Sequence, residues 1–292
     1  MAKYRPRFDL PAKAEAKSLA EAKPQAVAKA SAESRRTMDV ADISAPPSDT
    51  RSGNSIRFES VTKRFASGFQ ALTDLSFELA SDEMVFVTGH SGAGKSTLLR
   101  MIAAIDRPTK GTVYALGQPV SRFPAGSVPA YRRQLGLVFQ DHRLLFDRSV
   151  YENVALPLVV AGVAHRDIGK RVRAALDKVN LGSKERALPI TLSGGEQQRV
   201  GIARAAVAKP QIILADEPTG NLDPELSEEI MQLFVEFNRA GTTVLVASHD
   251  LHLVRKLEKR VLVLDHGKLI DDFRPAEQRG RNAIQNEPDE HD

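Results

Sequence analysis

The sequence predicts an α/β fold with a mostly parallel core sheet flanked by helices, together with a small antiparallel β subdomain. Three observations support this prediction. Short apolar runs alternate with segments of helical periodicity across residues 55–270, a glycine-rich loop follows one of the runs, and two adjacent carboxylates follow another. Such alternation is typical of parallel sheets, which bind ligands beyond the carboxyl ends of their strands.

Local patterns place the individual strands. Apolar runs bounded by polar or glycine residues predict core strands at 85–88, 135–140, 211–216, 242–248 and 260–265. The segments 55–61 and 71–79 predict the small antiparallel feature at one edge of the fold. Helical spacing follows most of the core strands, as in the stretch after the glycine-rich loop.

The two ends of the chain have compositions that cannot bury a core. Residues 1–54 are rich in alanine, interleave Lys with Glu and are interrupted by prolines, so we expect a disordered or transiently helical N-terminal extension. Residues 271–292 contain three Arg and seven Asp or Glu, which predicts a polar C-terminal tail. One folded domain at 55–270 is the expected organisation.

The net charge of +4 lies mostly in the N-terminal extension, where residues 1–54 hold ten basic and seven acidic side chains. A weak contact with anionic lipid or nucleic acid is one interpretation of this excess. The acidic residues dilute the basic ones, however, and no cluster of four to eight positive charges forms. We therefore expect a solvated extension and no direct nucleic-acid partner.

The absence of cysteine excludes disulfides, thiolate catalysis and a cysteine-based zinc site. The longest apolar run, 154–164, contains Pro157 and Gly162 and is shorter than the ~20 residues that span a bilayer. The N-terminus also lacks the apolar segment of a secretory signal. We expect a protein that is soluble by itself and meets the membrane through a partner.

A phosphate-binding motif lies between a predicted strand and a predicted helix. The pattern G-x-x-x-x-G-K-[ST] is matched by eight consecutive residues, which Thr97 follows: Gly89, His90, Ser91, Gly92, Ala93, Gly94, Lys95 and Ser96. The glycines allow the backbone N–H groups to approach an anion at the positive end of the helix. Lys95 supplies a full charge, and Ser96 supplies an oxygen for Mg²⁺. A site for a nucleoside triphosphate is predicted, with a merely structural glycine turn as the alternative; we expect no catalytic role for His90.

Asp216 and Glu217 follow a buried apolar run, so the strand delivers both carboxylates to the same crevice. Asp216 is predicted to hold Mg²⁺, and Glu217 is predicted to polarise or deprotonate the attacking water. A solvated pair that ends a strand is the alternative. His249 follows the next predicted strand, where it would reach the terminal phosphate; a surface histidine is the alternative there.

These motifs and their order resemble the nucleotide-binding subunits of ATP-binding-cassette (ABC) systems. The family's signature corresponds to residues 192–199, its D-loop to 221–223, its Q-loop glutamine to Gln140 and its switch histidine to His249. The resemblance covers about 55–270 and implies a P-loop NTPase of ABC type, with a helical subdomain that carries the signature. It also implies that ATP and Mg²⁺ are bound.

The resemblance assigns roles to further residues. The signature would serve the γ-phosphate of ATP held by a second subunit, so that a homodimer is required; its residues are Ser193, Gly194, Gly195 and Glu196. Asp223 would act in the same place through the D-loop. Gln140 would help to hold Mg²⁺ and the attacking water. Phe65 would stack on adenine, with a packed core Phe as the alternative.

Within the family, the stretches 140–154 and 195–205 are similar to ATPases of the FtsE type, which act in cell division with the membrane protein FtsX. The resemblance implies an FtsX-like transmembrane partner and a place at the cytoplasmic face of the bacterial inner membrane, at the division site. ATP-driven dimer closure would regulate septal peptidoglycan hydrolysis. Leu144, Leu145 and Phe146 would accept an amphipathic helix of the partner, or would pack in the core.

Two other functions remain open from the sequence. The ATPases of lipoprotein-release and macrolide exporters share the same motifs. An ABC ATPase that acts on DNA would suit the basic isoelectric point, but such chains usually contain a long coiled coil or a second cassette, and this sequence shows neither.

Overall fold

The computed structural model describes residues 54–220 and 222–275. Its strands are β1 (Asn54–Arg64), β2 (Gln70–Ala80), β3 (Met84–Thr88), β4 (Lys110–Ala115), β5 (Leu135–Val138), β6 (Ile212–Asp216), β7 (Thr243–Ala247), β8 (Arg260–Asp265) and β9 (Lys268–Phe273). Its helices are α1 (Lys95–Ile102), α2 (Val128–Arg132), α3 (Val150–Val160), α4 (His165–Lys178), α5 (Gly194–Ala206), α6 (Pro224–Arg239) and α7 (Leu251–Leu257). The predicted N-terminal extension and most of the predicted C-terminal tail lie outside the described residues.

The core sheet has six strands in the order β5-β6-β7-β3-β8-β9. All neighbouring pairs are parallel except β8 with β9. The five predicted core strands correspond to β3, β5, β6, β7 and β8, so the prediction of a mostly parallel sheet is confirmed. The carboxyl ends of the parallel strands meet at one edge, where the phosphate-binding motif also begins.

Both faces of this sheet are covered, which explains why its strands are apolar without alternation. Val85 and Val87 of β3 pack in one apolar cluster with α1 and the antiparallel subdomain. Met84 and Phe86 of the same strand pack in a second cluster with α6 and α7. A strand buried on both sides keeps its register because any slip exposes apolar side chains.

The antiparallel subdomain has three strands in the order β2-β1-β4. The predicted pairing of the first two is observed, and the rings of Phe58 and Phe77 stack across it with centroids 4.6 Å apart. The third strand, β4, was missing from our prediction. It begins with Lys110 and Gly111, and its apolar residues are confined to the last three positions, so the local pattern does not distinguish it from a loop.

The last strand of the core sheet, β9, runs to Phe273 and so extends past residue 270, where we placed the domain boundary. Arg260 of β8 explains this extension, because its guanidinium donates two hydrogen bonds of 2.7 Å to the carboxylate of Asp272. The same guanidinium also lies 3.2 Å from Glu83. The bidentate ion pair between Arg260 and Asp272 thus keeps β9 paired with β8. The alternation of polar and apolar residues in the sequence does not reveal this edge strand.

A helical subdomain follows β5 and consists of α3, α4 and the first part of α5. Its apolar cluster brings together side chains from the three helices, including Leu158, Leu176 and Val200. Helices α3 and α5 both begin with a capping box, formed by Ser149 with Glu152 and by Ser193 with Glu196. None of the helices in the described ranges has the length and apolar character needed to cross a bilayer.

Candidate active site

The phosphate-binding loop joins β3 to α1 and requires glycine at two closely packed positions. Gly89 has φ 146° and lies against the carbonyl oxygen of Leu264, which leaves no room for a side chain. Gly94 has φ 107° and caps α1 without a side-chain hydrogen bond, with the carbonyl oxygen of Ala71 2.7 Å from the place that a Cβ would occupy. The first N–H groups of α1 are therefore available to an anion.

Lys95 is 7% exposed, and its ammonium group is held inside this loop. It donates hydrogen bonds to the carbonyl oxygens of Gly89, at 2.8 Å, and His90, at 3.3 Å. The same nitrogen lies 3.5 Å from Oε1 of Glu217. The lysine therefore links the loop to the acidic end of β6 across the site.

Ser96 and Asp216 form an oxygen pair suited to a hard cation. The Ser96 hydroxyl donates a 3.0 Å hydrogen bond to Oδ1 of Asp216. Burial raises the pKa of Asp216 above that of an ordinary aspartate, against the opposing effect of that hydrogen bond. Hydroxyl and carboxylate oxygens are the ligands that Mg²⁺ prefers, and a cation here would offset the desolvation of the carboxylate.

Glu217 and His249 meet at the ends of two adjacent parallel strands. The register pairs Asp216 of β6 with Ala247 of β7, and the N–H of Glu217 continues the ladder to the carbonyl oxygen of Ala247 at 3.0 Å. Oε2 of Glu217 lies 2.7 Å from Nδ1 of His249. Glu217 has φ 48°, a left-handed conformation that only a small share of non-glycine residues adopt.

These groups line an open cleft of about 480 Å³. Residues on its walls come from the loop, α1 and the strand ends: Phe69, Ala71, Ser91, Gly92, Gly94, Lys95, Ser96, Thr97, Gln140, Glu217 and His249. Gln140 thus faces the same space as the loop, where the family resemblance implied that it would lie. Asp216 lies beside this cleft and lines smaller pockets under it. The cleft is large enough for a nucleotide.

The aromatic side chain on the cleft wall is Phe69 rather than Phe65. Phe69 is 59% exposed, whereas the ring of Phe65 is partly buried beneath the ammonium group of Lys63, which lies 5.0 Å from its centroid. The two residues close one turn, because Phe65 N–H donates to the carbonyl oxygen of Phe69 at 2.8 Å. The predicted stacking of Phe65 on adenine stays a prediction, and sequence reasoning missed Phe69.

Three other members of the predicted loop do not line the cleft. Ala93 is fully buried, and the backbone of Gly89 serves to hold Lys95. The ring of His90 turns outward to Asp265, 3.1 Å away. These three residues support the loop on the side that faces away from the cleft.

The signature residues also lie away from this cleft. Ser193 caps α5, and its hydroxyl accepts a hydrogen bond from the N–H of Glu196 at 3.2 Å. The Glu196 carboxylate accepts one from the N–H of Ser193 at 2.9 Å, which lowers the pKa of Glu196. Gly194 is exposed at the helix start, and Gly195 is buried against Leu226. In a single chain, this helix N-terminus therefore faces something other than the phosphate-binding loop.

Asp223 has a structural task in the same region. Its carboxylate caps α6 by accepting a 2.9 Å hydrogen bond from the N–H of Leu226. Leu226 is the side chain that packs against Gly195, so the cap joins the segment after β6 to the signature helix. The predicted contact of Asp223 with a nucleotide of a second subunit stays a prediction.

A comparison with known families decides the assignment. The profile described as ABC transporter matches residues 72–220, which include the loop, the signature and the acidic end of β6. The chain belongs to this family. It is an ABC-type ATPase, whose Lys95, Glu217 and His249 occupy one ATP-sized cleft.

Two relatives and one solved structure show how far this similarity extends. The cell division ATP-binding protein FtsE of Escherichia coli strain K12 is 56% identical over 214 residues, which cover 73% of this ABC ATPase and 96% of that protein. The FtsE of Mycobacterium tuberculosis strain H37Rv is 46% identical over 226 residues, 77% and 96% of the two chains. The dimeric post-hydrolysis structure of the ATP-binding cassette MJ0796 bound to ADP and Pi superposes with a TM-score of 0.71 at 35% identity, covering 75% and 98%.

Arg204 is a further residue of this ABC ATPase that sequence reasoning missed. Its guanidinium is partly buried and donates hydrogen bonds to the carbonyl oxygens of His142, at 2.6 Å, and Arg143, at 2.7 Å. Both acceptors have positive φ, 54° and 47°. Burial lowers the pKa of Arg204. The side chain fastens the segment after Gln140 to the signature helix α5, and no periodic signal in the sequence indicates it.

The raised pKa of Asp216 leads to a prediction about stability. The pKa of Asp216 is higher in the folded state than in the unfolded state, so the ionised carboxylate destabilises the folded protein at pH values above the unfolded pKa. This destabilisation disappears as the pH falls through the folded pKa and the carboxylate takes up a proton. Asp216→Asn keeps an oxygen acceptor for Ser96 and removes this cost. We expect a higher unfolding temperature without nucleotide at pH 7, by about 2–4 °C per kcal/mol.

The measurement is thermal unfolding with and without ATP and Mg²⁺. The wild type should gain more stability from Mg²⁺ with ATP than the variant does, since the variant lacks the carboxylate. At a pH below the pKa of Asp216, the two ligand-free proteins should unfold at similar temperatures. If Asp216→Asn were less stable than the wild type at pH 7, the ionised Asp216 carboxylate would not destabilise the folded protein.

Proposed function

We propose that this chain is the ATPase subunit of an FtsE/FtsX-like membrane complex that regulates septal peptidoglycan hydrolysis in bacterial cell division. The observation that carries the proposal is the 56% identity to the FtsE of Escherichia coli over 96% of that protein. The complex lies at the cytoplasmic face of the inner membrane, at the division site. The chain reaches the membrane through its transmembrane partner.

The ATP cycle follows from the geometry of the cleft. The N–H groups of the loop and the ammonium group of Lys95 bind the phosphates. Ser96, Asp216 and Gln140 would hold Mg²⁺, which would offset the negative charge of the phosphates. Glu217 then accepts the proton of the attacking water, with His249 fixing its carboxylate through their 2.7 Å contact.

Two subunits complete each site. The N-terminus of α5 does not line the cleft of its own chain, and its first N–H groups form a second anion-binding end. In a homodimer this end binds the γ-phosphate held by the other subunit, so ATP stabilises the closed dimer. The dimeric architecture of the similar cassette MJ0796 supports this arrangement. Hydrolysis removes the shared γ-phosphate, and the dimer opens.

The partner binds an apolar surface on the helical subdomain. Within the described residues, seven of the ten large apolar side chains with high exposure belong to it: Leu145, Phe146, Leu156, Val159, Val160, Leu188 and Ile190. We call these residues the docking surface. Leu144 is buried in the helical core, so for this one of the three residues the alternative of core packing applies. An apolar surface of this kind suits an amphipathic helix of the partner.

Asn153 of α3 fixes the loop that carries Leu145 and Phe146. Its buried amide donates to the carbonyl oxygens of Leu145, at 2.9 Å, Arg148, at 3.2 Å, and Ser149, at 3.0 Å. Its oxygen accepts a 2.8 Å hydrogen bond from the N–H of Leu145. The two amide hydrogens are shared among three carbonyl oxygens, so one side chain contacts four backbone groups. Because the loop follows Gln140 in the chain, we propose that it transmits changes at the cleft to the partner.

We expect Asn153→Ala to weaken partner binding by at least about tenfold, because the loop loses its hydrogen bonds. Phe146→Asp, at a site 51% exposed, should have the same effect without the cost of unpaired backbone groups. Ile270→Asp, 61% exposed on β9, is the matched control and should bind the partner normally. ATP affinity should stay within about twofold in all three, as measured with a fluorescent nucleotide. Normal partner capture by Phe146→Asp would exclude the docking surface.

The function itself is tested in the source bacterium. The tagged chain is captured from membranes, its partner is identified by mass, and cell length is measured after depletion. We expect an FtsX-like protein and filamentous cells, rescued by the wild type and not by Lys95→Ala. Capture of a lipoprotein or drug exporter permease, with normal division after depletion, would support an exporter instead.

A further inference from the structure

A cluster of two histidines and one aspartate lies behind the phosphate-binding loop, outside the ATP cleft. Nε2 of His90 is 3.1 Å from Oδ1 of Asp265, and Nε2 of His266 is 3.9 Å from the same oxygen. The two imidazole rings lie 4.7 Å apart between centroids. One ligand atom from each residue lies within 4.8 Å of the others. We call these three residues the histidine cluster.

The hydrogen bonds of His90 leave a place for a cation. Its Nδ1 lies 2.6 Å from the carbonyl oxygen of Ser91, which can only accept a hydrogen bond, so Nδ1 carries the hydrogen. In the neutral ring, Nε2 then carries a lone pair. This lone pair faces the Asp265 carboxylate, another acceptor. A positive ion between Nε2 and Oδ1 satisfies both atoms.

The two separations to Asp265 lie near those expected for a transition-metal site. Zinc binds imidazole nitrogen and carboxylate oxygen at about 2.0–2.2 Å, which places two ligands of a tetrahedral site roughly 3.3–3.6 Å apart. The separations of 3.1 and 3.9 Å to Asp265 lie on either side of this range. The Nδ1 hydrogen bond to Ser91 also fixes the tautomer that presents Nε2 to a metal. Imidazole nitrogen favours Zn²⁺ over Mg²⁺.

The backbone holds the three residues together. His266 and Gly267 form the two-residue turn between β8 and β9, both with positive φ, 43° and 76°. The N–H of Gly267 donates to the carbonyl oxygen of Ala93 in the phosphate-binding loop at 3.1 Å. Gly267 in turn accepts a 2.8 Å hydrogen bond from the N–H of Thr73. The turn therefore lies against the loop before any ion is added.

We propose that the histidine cluster binds a first-row divalent metal ion, with Zn²⁺ as the best match, and that the ion fastens the phosphate-binding loop to the β8–β9 turn. His90, Asp265 and His266 supply three ligands, and water completes the coordination on the exposed side, where His266 is 82% exposed. This site is separate from the Mg²⁺ oxygens Ser96 and Asp216. It does not depend on the cell-division role.

The experiment measures Zn²⁺ binding to the full chain by competition with a chromogenic chelator. Saturating ATP and Mg²⁺ are present so that Glu217 and His249 are occupied. His266→Asn is the main variant, because Asn is favoured at a positive-φ turn position and keeps the backbone intact. His90→Asn tests the second ligand. His165→Asn changes an exposed histidine at the start of α4 and is the matched control.

We expect one Zn²⁺ per chain in the wild type and in His165→Asn, with at least about a tenfold loss of affinity in both cluster variants. Co²⁺ bound in place of Zn²⁺ should give visible absorption bands that disappear in His266→Asn. Added Zn²⁺ should raise the unfolding temperature of the wild type more than that of the variant. Equal Zn²⁺ affinity in the wild type and His266→Asn, or no binding by the wild type, would overturn the proposal; a proton alone then fills the gap.

Discussion

Glu217→Gln is expected to lower ATP turnover by about 10²- to 10⁴-fold while leaving ATP binding intact. The carboxylate lies between the ammonium group of Lys95, at 3.5 Å, and the imidazole of His249, at 2.7 Å. Gln fills the same space but is a far weaker proton acceptor. It also releases Lys95 from an ion pair and removes a negative charge near the phosphates, so affinity for ATP should stay the same or rise.

The measurements are steady-state phosphate release and size-exclusion chromatography in ATP with Mg²⁺. The variant should accumulate as an ATP-bound dimer, because binding closes the subunits and hydrolysis no longer opens them. Lys95→Ala is the contrasting variant and should lose most nucleotide affinity, since its ammonium group is the buried cation of the loop. Near-normal turnover in both variants would refute the roles assigned to these residues.

Ser193→Arg is expected to lower ATP turnover to about a tenth of the wild-type rate or less, without preventing ATP binding to the isolated monomer. Arg places a long side chain where the N-terminus of α5 must approach the second subunit's nucleotide. It also removes a cap, which costs about 0.5–2 kcal/mol of helix stability. The monomer's own cleft is lined by other residues and should bind ATP normally.

Ser149→Arg provides the matched control, because Ser149 caps α3 with the same capping box that Ser193 forms at α5. Both variants lose an equivalent cap, so their unfolding temperatures should fall by similar amounts. Turnover of the isolated ATPase should fall only in Ser193→Arg. If that variant failed to bind ATP at high dilution, where only monomers exist, the signature would belong to the cleft of its own chain.

The core sheet was predictable because parallel strands buried on both faces leave uninterrupted apolar runs. The strands that escaped prediction, β4 and β9, lie at sheet edges, and polar residues such as Lys110 and Asp272 occupy much of their length. Edge strands are stabilised by pairing with a neighbour that is distant in sequence. Arg260 holds β9 through Asp272, and that ion pair has no local signature.

The candidate site was predictable only where a motif is contiguous. The loop and the Asp216-Glu217 pair each carry their chemistry within a few residues. Contacts between them depend on sheet register, which brings together Lys95, Glu217 and His249 from the segments that follow three neighbouring strands. Phe69 lines the cleft because of the turn that links the N–H of Phe65 to the carbonyl oxygen of Phe69. The distance in sequence from the phosphate-binding loop does not reveal this turn.

The pairing of Asp216 with Ala247 sets the contact between Glu217 and His249, which follow these two strand ends. A change in the length of either strand would disrupt this contact more than a change of residue type within it. The number of residues in each strand determines where the side chains that follow the strand lie. A single deletion or insertion inside β7 would turn His249 toward the opposite face of the sheet and separate it from the Glu217 carboxylate. Natural variation in this enzyme should therefore spare the length of these two strands and accumulate in the connections between them.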